Sequence, residues 1–242
     1  MVRRTTSGVA EPGSAIFIGN SFFYYNNGIN THLAQLIGAA APGRAWRSTL
    51  VGISGSGLDW HDVETYFRPN AIGSFSFDAG NNIVFNKPER LFDVAVLMDG
   101  SQSPIHPALA QASRDYFRQH CETARRHGAA PVLFMTWAYA DKPEMAEPLA
   151  QAYTKAGEDN DALVIPAGLA FARSTAARPD LDLWHADKRH PSLAGTFLSA
   201  CLTYAALFKA SPVGLAYDAG LGPETAAFLQ EVACASLIAY QR

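Results

Sequence analysis

The fold of this protein is decided near its N-terminus, by the stretch Ala15-Ile16-Phe17-Ile18-Gly19-Asn20-Ser21. Four consecutive apolar residues that end in a Gly-Asn-Ser turn are typical of a short strand that is buried on both faces. Such strands occur in parallel sheets that are covered by helices on both sides. We therefore predict that residues 15–18 form one strand of a parallel sheet.

The same pattern, a short apolar strand followed by a helical segment, recurs along the chain. Further strands are predicted at 46–53, 94–98, 131–136 and 163–165, and helices at 31–41, 58–67, 107–127, 143–157, 167–177, 191–208 and 224–240. This alternation predicts an α/β fold: a three-layer, doubly wound, mostly parallel sheet of five strands with a flavodoxin-like layout.

The domain organisation predicted from the sequence is simple. Residues 1–14 are polar and small and predict a flexible lead-in, and residues 15–242 predict a single domain. Within that domain, residues 68–92 are rich in Gly, Asn and Pro and contain short alternating apolar stretches, which favour a hairpin-like insertion. The sequence leaves its role open between a lid and a dimer contact.

Composition excludes several classes of protein. With 48% apolar and 17% charged residues, the 242-residue chain is not a disordered protein. Its net charge of −3 provides no positive field for nucleic-acid binding, and no apolar run approaches the roughly 18 residues that span a bilayer. The N-terminus lacks the apolar core of a signal peptide, so we expect a cytoplasmic protein. The three cysteines are widely spaced and are expected to be buried, free thiols on helices: Cys121, Cys201 and Cys234.

Polar residues follow three of the predicted strands. Ser21 ends the first strand, residues 52–55 end the second, and residues 99–102 end the third. The carboxyl ends of parallel strands meet at one edge of a sheet, where ligands bind. Far downstream, Asp187 and His190 stand three residues apart before a helix. A serine needs an adjacent imidazole as base, and the imidazole needs a carboxylate to orient it, so this set is a candidate for acyl transfer.

At these residues the chain resembles the SGNH/GDSL hydrolase superfamily, mostly esterases and lipases, over roughly residues 16–208. Residues 16–21 resemble the first block of the family, with Asn20 where Asp is commonest, and residues 52–55 resemble the second block. Residues 100–102 fall at the third block and residues 187–191 at the fifth. The resemblance implies that Ser21 is the nucleophile, Asp187 the orienting carboxylate and His190 the base.

The resemblance also implies an oxyanion hole. Its donors would be the backbone N–H groups of Ser21 and Gly55 and the side-chain amide of Gln102, with Gly57 as a competing glycine. Gln102 replaces the family's Asn and is one methylene longer. The plain alternatives are a helix N-cap for Ser21 and ordinary turn or loop roles for Gly55 and Gln102.

Three further residues are predicted to contact substrate: Asn20, Trp137 and Trp184. The two tryptophans could form a platform for a sugar ring or an acyl chain, although core packing is the common role of such residues. Lys188 and Arg189 place positive charge next to the site and favour a small polar substrate.

The expected function is hydrolysis of a carboxylic ester through an acyl-enzyme, on a short-acyl or carbohydrate O-acetyl ester, with no metal or organic cofactor. A lysophospholipase-like or lipase-like esterase and a non-catalytic binding module remain alternatives. A flavodoxin-like cofactor binder is a weaker alternative, because no phosphate-binding glycine motif follows the first strand.

Overall fold

The computed structural model describes residues 5–68, 72, 75–85 and 90–242. Its strands are β1 (Ser14–Gly19), β2 (Arg47–Gly52), β3 (Phe75–Phe77), β4 (Ile83–Phe85), β5 (Val94–Leu97), β6 (Ala130–Phe134) and β7 (Leu163–Ile165). Its helices are α1 (Ser21–Tyr24), α2 (Ile29–Ala40), α3 (Val63–Tyr66), α4 (Ala110–Arg126), α5 (Ala146–Asp159), α6 (Ala167–Ala177), α7 (Leu193–Phe208) and α8 (Pro223–Gln241).

Five strands form one parallel sheet in the order β2-β1-β5-β6-β7. From β1 the chain adds β2 on one side and then crosses over to add β5 on the other side, so the strand order reverses at β1. Doubly wound sheets bind ligands at such a point. Ile18 pairs with Val51 on one side and with Leu97 on the other, so the ends of these three strands lie side by side. The predicted five-stranded, doubly wound fold is confirmed.

Helices cover both faces of this sheet, and the side chains of β1 show the division. Ala15 and Phe17 face a core shared with α2, α6, α7 and α8, whereas Ile16 and Ile18 face a core shared with α4 and α5. All four side chains are fully buried. Burial on alternate sides explains why the strand is apolar throughout rather than alternating.

The predicted helix over residues 58–67 is wrong as a continuous element. The chain makes a single 3-10 turn at Leu58–Trp60, and α3 begins only at Val63. Between them His61 turns inward, where its Nε2 lies 3.0 Å from the carbonyl oxygen of Gly19. Asp62 then starts a new helix by accepting a hydrogen bond from the backbone N–H of Thr65.

Other boundaries differ by less. The helix predicted to begin at residue 107 begins at Ala110, and the one predicted from residue 143 starts as a 3-10 turn and becomes α5 at Ala146. The four-residue helix α1 directly after β1 is not apparent from the sequence, because its pattern is too short to show a helical period.

The hairpin expected within residues 68–92 is present at its centre. β3 and β4 pair antiparallel, with Phe75 opposite Phe85 and Phe77 opposite Ile83, and these four side chains are exposed. Residues 69–71, 73–74 and 86–89 of the predicted insertion lie outside the described residues.

The cysteines lie on helices, as expected, and all three are free thiols. Cys121 and Cys201 are buried, and burial raises the pKa of the Cys121 thiol to about 12. Cys234 is only partly buried. Over the described residues, the structure contains no helix long and apolar enough to cross a membrane.

We predict that Gly195→Ala destabilises the protein by about 1–3 kcal/mol, as overpacking typically does. A Cβ atom there would collide with the carbonyl oxygen of Leu183 and approach Cζ of Phe171 to 2.8 Å. The matched control is Gly38→Ala at an exposed position of α2, where no atom lies within 4 Å of the added carbon. Urea unfolding should show a loss for Gly195→Ala and a small gain for Gly38→Ala. Equal behaviour of the two variants would contradict the packing argument.

Candidate active site

Ser21 is placed by the sharp transition from β1 into α1. Asn20 caps the helix, since its side-chain oxygen accepts a hydrogen bond of 3.1 Å from the N–H of Phe22. The Asn20 amide nitrogen donates to the carbonyl oxygens of Ser56 at 2.9 Å and Asp99 at 3.2 Å. Asn20 therefore ties together the loops that follow β1, β2 and β5. Asn20 is buried and its polar atoms bind the protein, so the structure gives it a structural role, and its contact with substrate stays a prediction.

The structure brings Ser21, His190 and Asp187 into one hydrogen-bonded line. Ser21 Oγ lies 2.8 Å from His190 Nε2, and His190 Nδ1 lies 2.5 Å from Asp187 Oδ2. A carboxylate can only accept, so Nδ1 carries the proton in the neutral ring and Nε2 is left to accept from the serine hydroxyl. This is the tautomer that a general base acting on Ser21 requires.

Asp187 is held in its ionised form. Its partial burial opposes ionisation, but hydrogen bonds from the imidazole of His190 and from the backbone N–H groups of Arg189 and His190 outweigh it. The two backbone bonds measure 2.9 and 3.0 Å. Together they lower the pKa of Asp187 to about 2, so the carboxylate is charged at neutral pH.

Asp187 and His190 lie on one tight loop, residues 183–192. Two backbone hydrogen bonds close it, from His185 N–H to His190 C=O at 2.7 Å and from Ser192 N–H to Leu183 C=O at 2.9 Å. Lys188 at its tip adopts the left-handed conformation with φ of 63°. The N–H of Ala140 donates to the carbonyl oxygen of Lys188 at 3.1 Å, which fixes the tip against the loop that follows β6.

Trp137 supports this loop from inside the protein. Its ring is fully buried and stacks between Phe22 and Phe171, with centroid distances of 4.5 and 4.4 Å. Its indole N–H donates to the carbonyl oxygen of Arg189 at 3.0 Å. The predicted substrate contact of Trp137 is therefore wrong, since the ring has no free face and its N–H holds the backbone next to His190.

Trp184 is partly exposed and is also used by the protein. Its indole N–H donates to the carbonyl oxygen of Ala138 at 3.1 Å, and its ring meets the ring of Phe171 edge to face. Its backbone forms an isolated antiparallel bridge with Pro191. The structure thus gives Trp184 a role in holding the loop, and contact of its exposed portion with substrate stays a prediction.

The positive charge expected beside the site is largely balanced. Arg189 forms an ion pair with Asp141 and lies over the ring of Tyr139, 4.2 Å from its centroid. Its guanidinium is paired with these partners, and the preference for a polar substrate stays a prediction. Lys188 is exposed.

Two of the predicted oxyanion donors lie on the loops that follow β2 and β5. Gly55 occupies an exposed turn with φ of +72°, and its N–H has no hydrogen-bond partner among the described residues. Gln102 is partly buried, and one N–H of its amide points to the sulfur of Met145 at 3.6 Å. An amide carries two N–H groups, so the second is available to a ligand.

The buried carboxylate of Asp99 organises both loops, and the sequence indicated it only as the residue that ends a strand. It accepts hydrogen bonds from the N–H groups of Leu58 and Gly100, both at 2.8 Å, and from the hydroxyl of Ser113. Burial raises its pKa in spite of these bonds. Asp99 thereby fixes the two loops that carry the candidate oxyanion donors.

Two buried histidines lie beneath the same loops. His61 Nε2 lies 3.1 Å from Ser56 Oγ, and His120 Nε2 donates to the carbonyl oxygen of Leu58 at 2.9 Å. Burial is the main cause that lowers the pKa of both imidazoles. Within the part of the chain that the structure describes, no group of three His, Cys, Asp or Glu residues is arranged to hold a metal ion.

Comparison with solved structures relates this arrangement to known proteins. The chain is similar to a DUF4886 family protein from Bacteroides uniformis ATCC 8492, at 18% identity and a TM-score of 0.68 over 95% of this chain and 96% of that one. It is similar to a candidate SGNH hydrolase from Slackia heliotrinireducens, at 22% identity and a TM-score of 0.58 over 81% and 99% of the two chains. It is also similar to an acetylxylan esterase from Geobacillus stearothermophilus, at 17% identity and a TM-score of 0.53 over 83% and 95%.

These likenesses show that the chain shares the fold of these proteins. No protein-family model and no curated protein matches the chain.

We predict that the protein loses stability as the pH falls from about 6.5 towards 5. In the unfolded chain His61 and His120 titrate near 6.5, and in the folded protein their pKa values are lower. The unfolded state then binds more protons in this window, which costs about 1.4 kcal/mol for each unit of pKa difference. Asp187 adds a further loss of stability in a separate pH window, as the pH falls from 3.8 to about 2.

Urea unfolding at pH 7.5, 6.0 and 5.0 measures this effect. His61→Gln should weaken the pH dependence because an amide does not titrate, whereas His106→Gln, at an exposed position, should leave it unchanged. A wild-type free energy of unfolding that is constant between pH 7.5 and 5.0 would refute the assignment.

Proposed function

We propose that this protein is a serine esterase that hydrolyses carboxylic esters through an acyl-enzyme. The observation that carries the proposal is the line from Ser21 Oγ through His190 to Asp187, with both hydrogen bonds formed and the imidazole in the tautomer of a base. The fold shared with SGNH hydrolases supports it. A helix cap, the plain alternative for Ser21, is provided instead by Asn20.

In the first step Ser21 Oγ attacks the ester carbonyl carbon while His190 Nε2 takes the hydroxyl proton. The imidazolium that forms lies against ionised Asp187, which stabilises its charge. His190 then returns the proton to the oxygen of the leaving alcohol as the C–O bond breaks. The acyl group remains on Ser21.

The negative oxygen of the tetrahedral intermediate would be bound by the N–H groups of Ser21 and Gly55 and by the free N–H of Gln102. Such donors act on charge that develops only in the transition state. The contact of Gln102 with Met145 holds the longer side chain in place, and Asn20 and Asp99 hold the loops that carry these groups.

In the second step a water molecule loses a proton to His190 and attacks the acyl carbon. The carboxylic acid leaves, and Ser21 recovers its proton from His190. Every proton in both steps passes through His190 Nε2, so the reaction needs no group beyond those named.

The packing next to Ser21 supports a short acyl group. Phe22 packs edge-on against His190, at 5.5 Å between ring centroids, and Phe22 itself stacks on buried Trp137. The space beneath the catalytic imidazole is thus filled by the protein's own rings. We propose an acetyl or similarly short ester of a polar or carbohydrate alcohol, in line with the acetylxylan esterase that shares the fold. A panel of p-nitrophenyl esters from acetate to laurate separates this from a lysophospholipase-like preference for long chains.

We predict that Ser21→Ala reduces hydrolysis of p-nitrophenyl acetate to background, a loss of at least about 10³-fold in kcat. Ser211→Ala, which alters an exposed serine, is the matched control and should keep wild-type activity. Turnover by Ser21→Ala at the wild-type rate would overturn the mechanism. An inactive wild type across the whole ester panel would favour the binding-module alternative.

We predict that Gln102→Ala lowers kcat by about 10²-fold, in the range of other oxyanion-hole donors, with little change in KM. Gln102→Asn keeps the amide and should recover part of the lost rate. If Gln102→Ala has wild-type kcat, the side chain is an ordinary loop residue.

A further inference from the structure

The ring of Tyr25 lies directly on the imidazole of His190. Their centroids are 4.0 Å apart and their planes differ by only 8°. Phe22 meets the same imidazole edge-on, with a ring angle of 75°. His190 is therefore confined by two aromatic rings as well as by its hydrogen bonds to Ser21 and Asp187.

The turn that carries Tyr25 is itself fastened to the loop that carries His190. Asn26 adopts the left-handed conformation, with φ of 52°, and its amide donates to the carbonyl oxygen of Pro191 and to Thr196 Oγ1, both at 2.9 Å. Asparagine tolerates this conformation better than most residues. The turn after the nucleophile thus holds the backbone immediately after His190.

A second hydrogen bond, from His32, holds the backbone of Asn26. Its carbonyl oxygen accepts a hydrogen bond of 2.8 Å from His32 Nε2. His32 Nδ1 is then the acceptor in the neutral ring and takes a hydrogen bond of 2.7 Å from the hydroxyl of Tyr217. The position of Tyr25 above His190 is therefore fixed from α2 and from the segment before α8.

We infer that Tyr25 is a positioning residue for catalysis, which keeps the His190 imidazole in the plane that joins Ser21 to Asp187 and stabilises the imidazolium formed as Ser21 attacks. This inference rests on the proposed esterase mechanism. Asn26 supports it by keeping the stacked turn in register with residue 191.

The physical basis is that an aromatic face attracts a cation more than a neutral group. His190 is neutral before the reaction and cationic in the transition state, so the stack with Tyr25 favours the transition state over the ground state. An interaction of this kind changes kcat and leaves KM nearly unaltered. Among the described residues the Tyr25 hydroxyl has no hydrogen-bond partner, so the ring face alone should carry the effect.

The experiment compares Tyr25→Phe with Tyr25→Leu, using p-nitrophenyl acetate kinetics and thermal unfolding of the full chain. Phe keeps the stacked face and should retain kcat within about twofold. Leu keeps apolar bulk without the face and should lower kcat by about tenfold, with KM within about twofold. Asn26→Gly, which tolerates the left-handed backbone but lacks the amide, should also lower kcat.

Tyr204→Leu is the matched control for loss of a stacked ring. Tyr204 lies about three turns along α7 and stacks on Phe208, so its loss should lower stability without a selective fall in kcat. Wild-type kcat in Tyr25→Leu, or an equal fall in Tyr25→Phe or Tyr204→Leu, would overturn the inference. A change in KM alone would make Tyr25 a substrate contact instead.

The two proposals fail in different ways. If Ser21→Ala retains activity or the wild type has none, the esterase mechanism fails and the inference about Tyr25 fails with it. If Ser21→Ala is inactive and Tyr25→Leu matches the wild type, only the inference about Tyr25 fails.

Discussion

The structure depends on one short contact, the 2.8 Å hydrogen bond between Ser21 Oγ and His190 Nε2. It joins residues 169 positions apart, one at the end of β1 and one on a loop before α7. A proton can move directly between them only if both are held at hydrogen-bond distance. The parallel sheet positions Ser21, because it holds the end of β1 between the ends of β2 and β5. The loop over residues 183–192 positions His190.

The loop over residues 183–192 is held mainly by residues that lie outside the catalytic motifs of the sequence. The buried Trp137 donates to the backbone of Arg189, Trp184 donates to Ala138, and Asn26 donates to Pro191. A column of rings from Phe171 through Trp137 to Phe22 lies beneath them. The hydrogen bonds to Arg189 and Pro191 fix the backbone on either side of His190, and the rings beneath belong to the core, so stability and catalytic geometry rest on the same residues.

The sequence predicted the sheet and the grouping of the triad because both depend on local signals. Buried strands are recognisable from apolar runs, and the order of Ser21, Asp187 and His190 follows motif spacing. It failed where tertiary contacts decide. From the sequence Trp137 could be a substrate platform, with core packing as the commoner role, and only the rings that pack on both of its faces show that it belongs to the core. His61 interrupts the predicted helix by turning towards Gly19, and a partner 42 positions away in the chain cannot be recognised from local sequence. Asp99 looks like an ordinary turn residue in the sequence, although its carboxylate is buried in the structure.

The most direct test of the account is reaction with an organophosphonate at neutral pH, with the modified residue located by mass spectrometry of the peptides. Only a serine activated by an adjacent base reacts rapidly with such a reagent. The account predicts one phosphonyl group per chain, on Ser21, and a rate at least about 10²-fold lower in His190→Ala. Absence of label in the wild type, label on another serine, or an equal rate in His190→Ala would contradict the central claim that His190 activates Ser21.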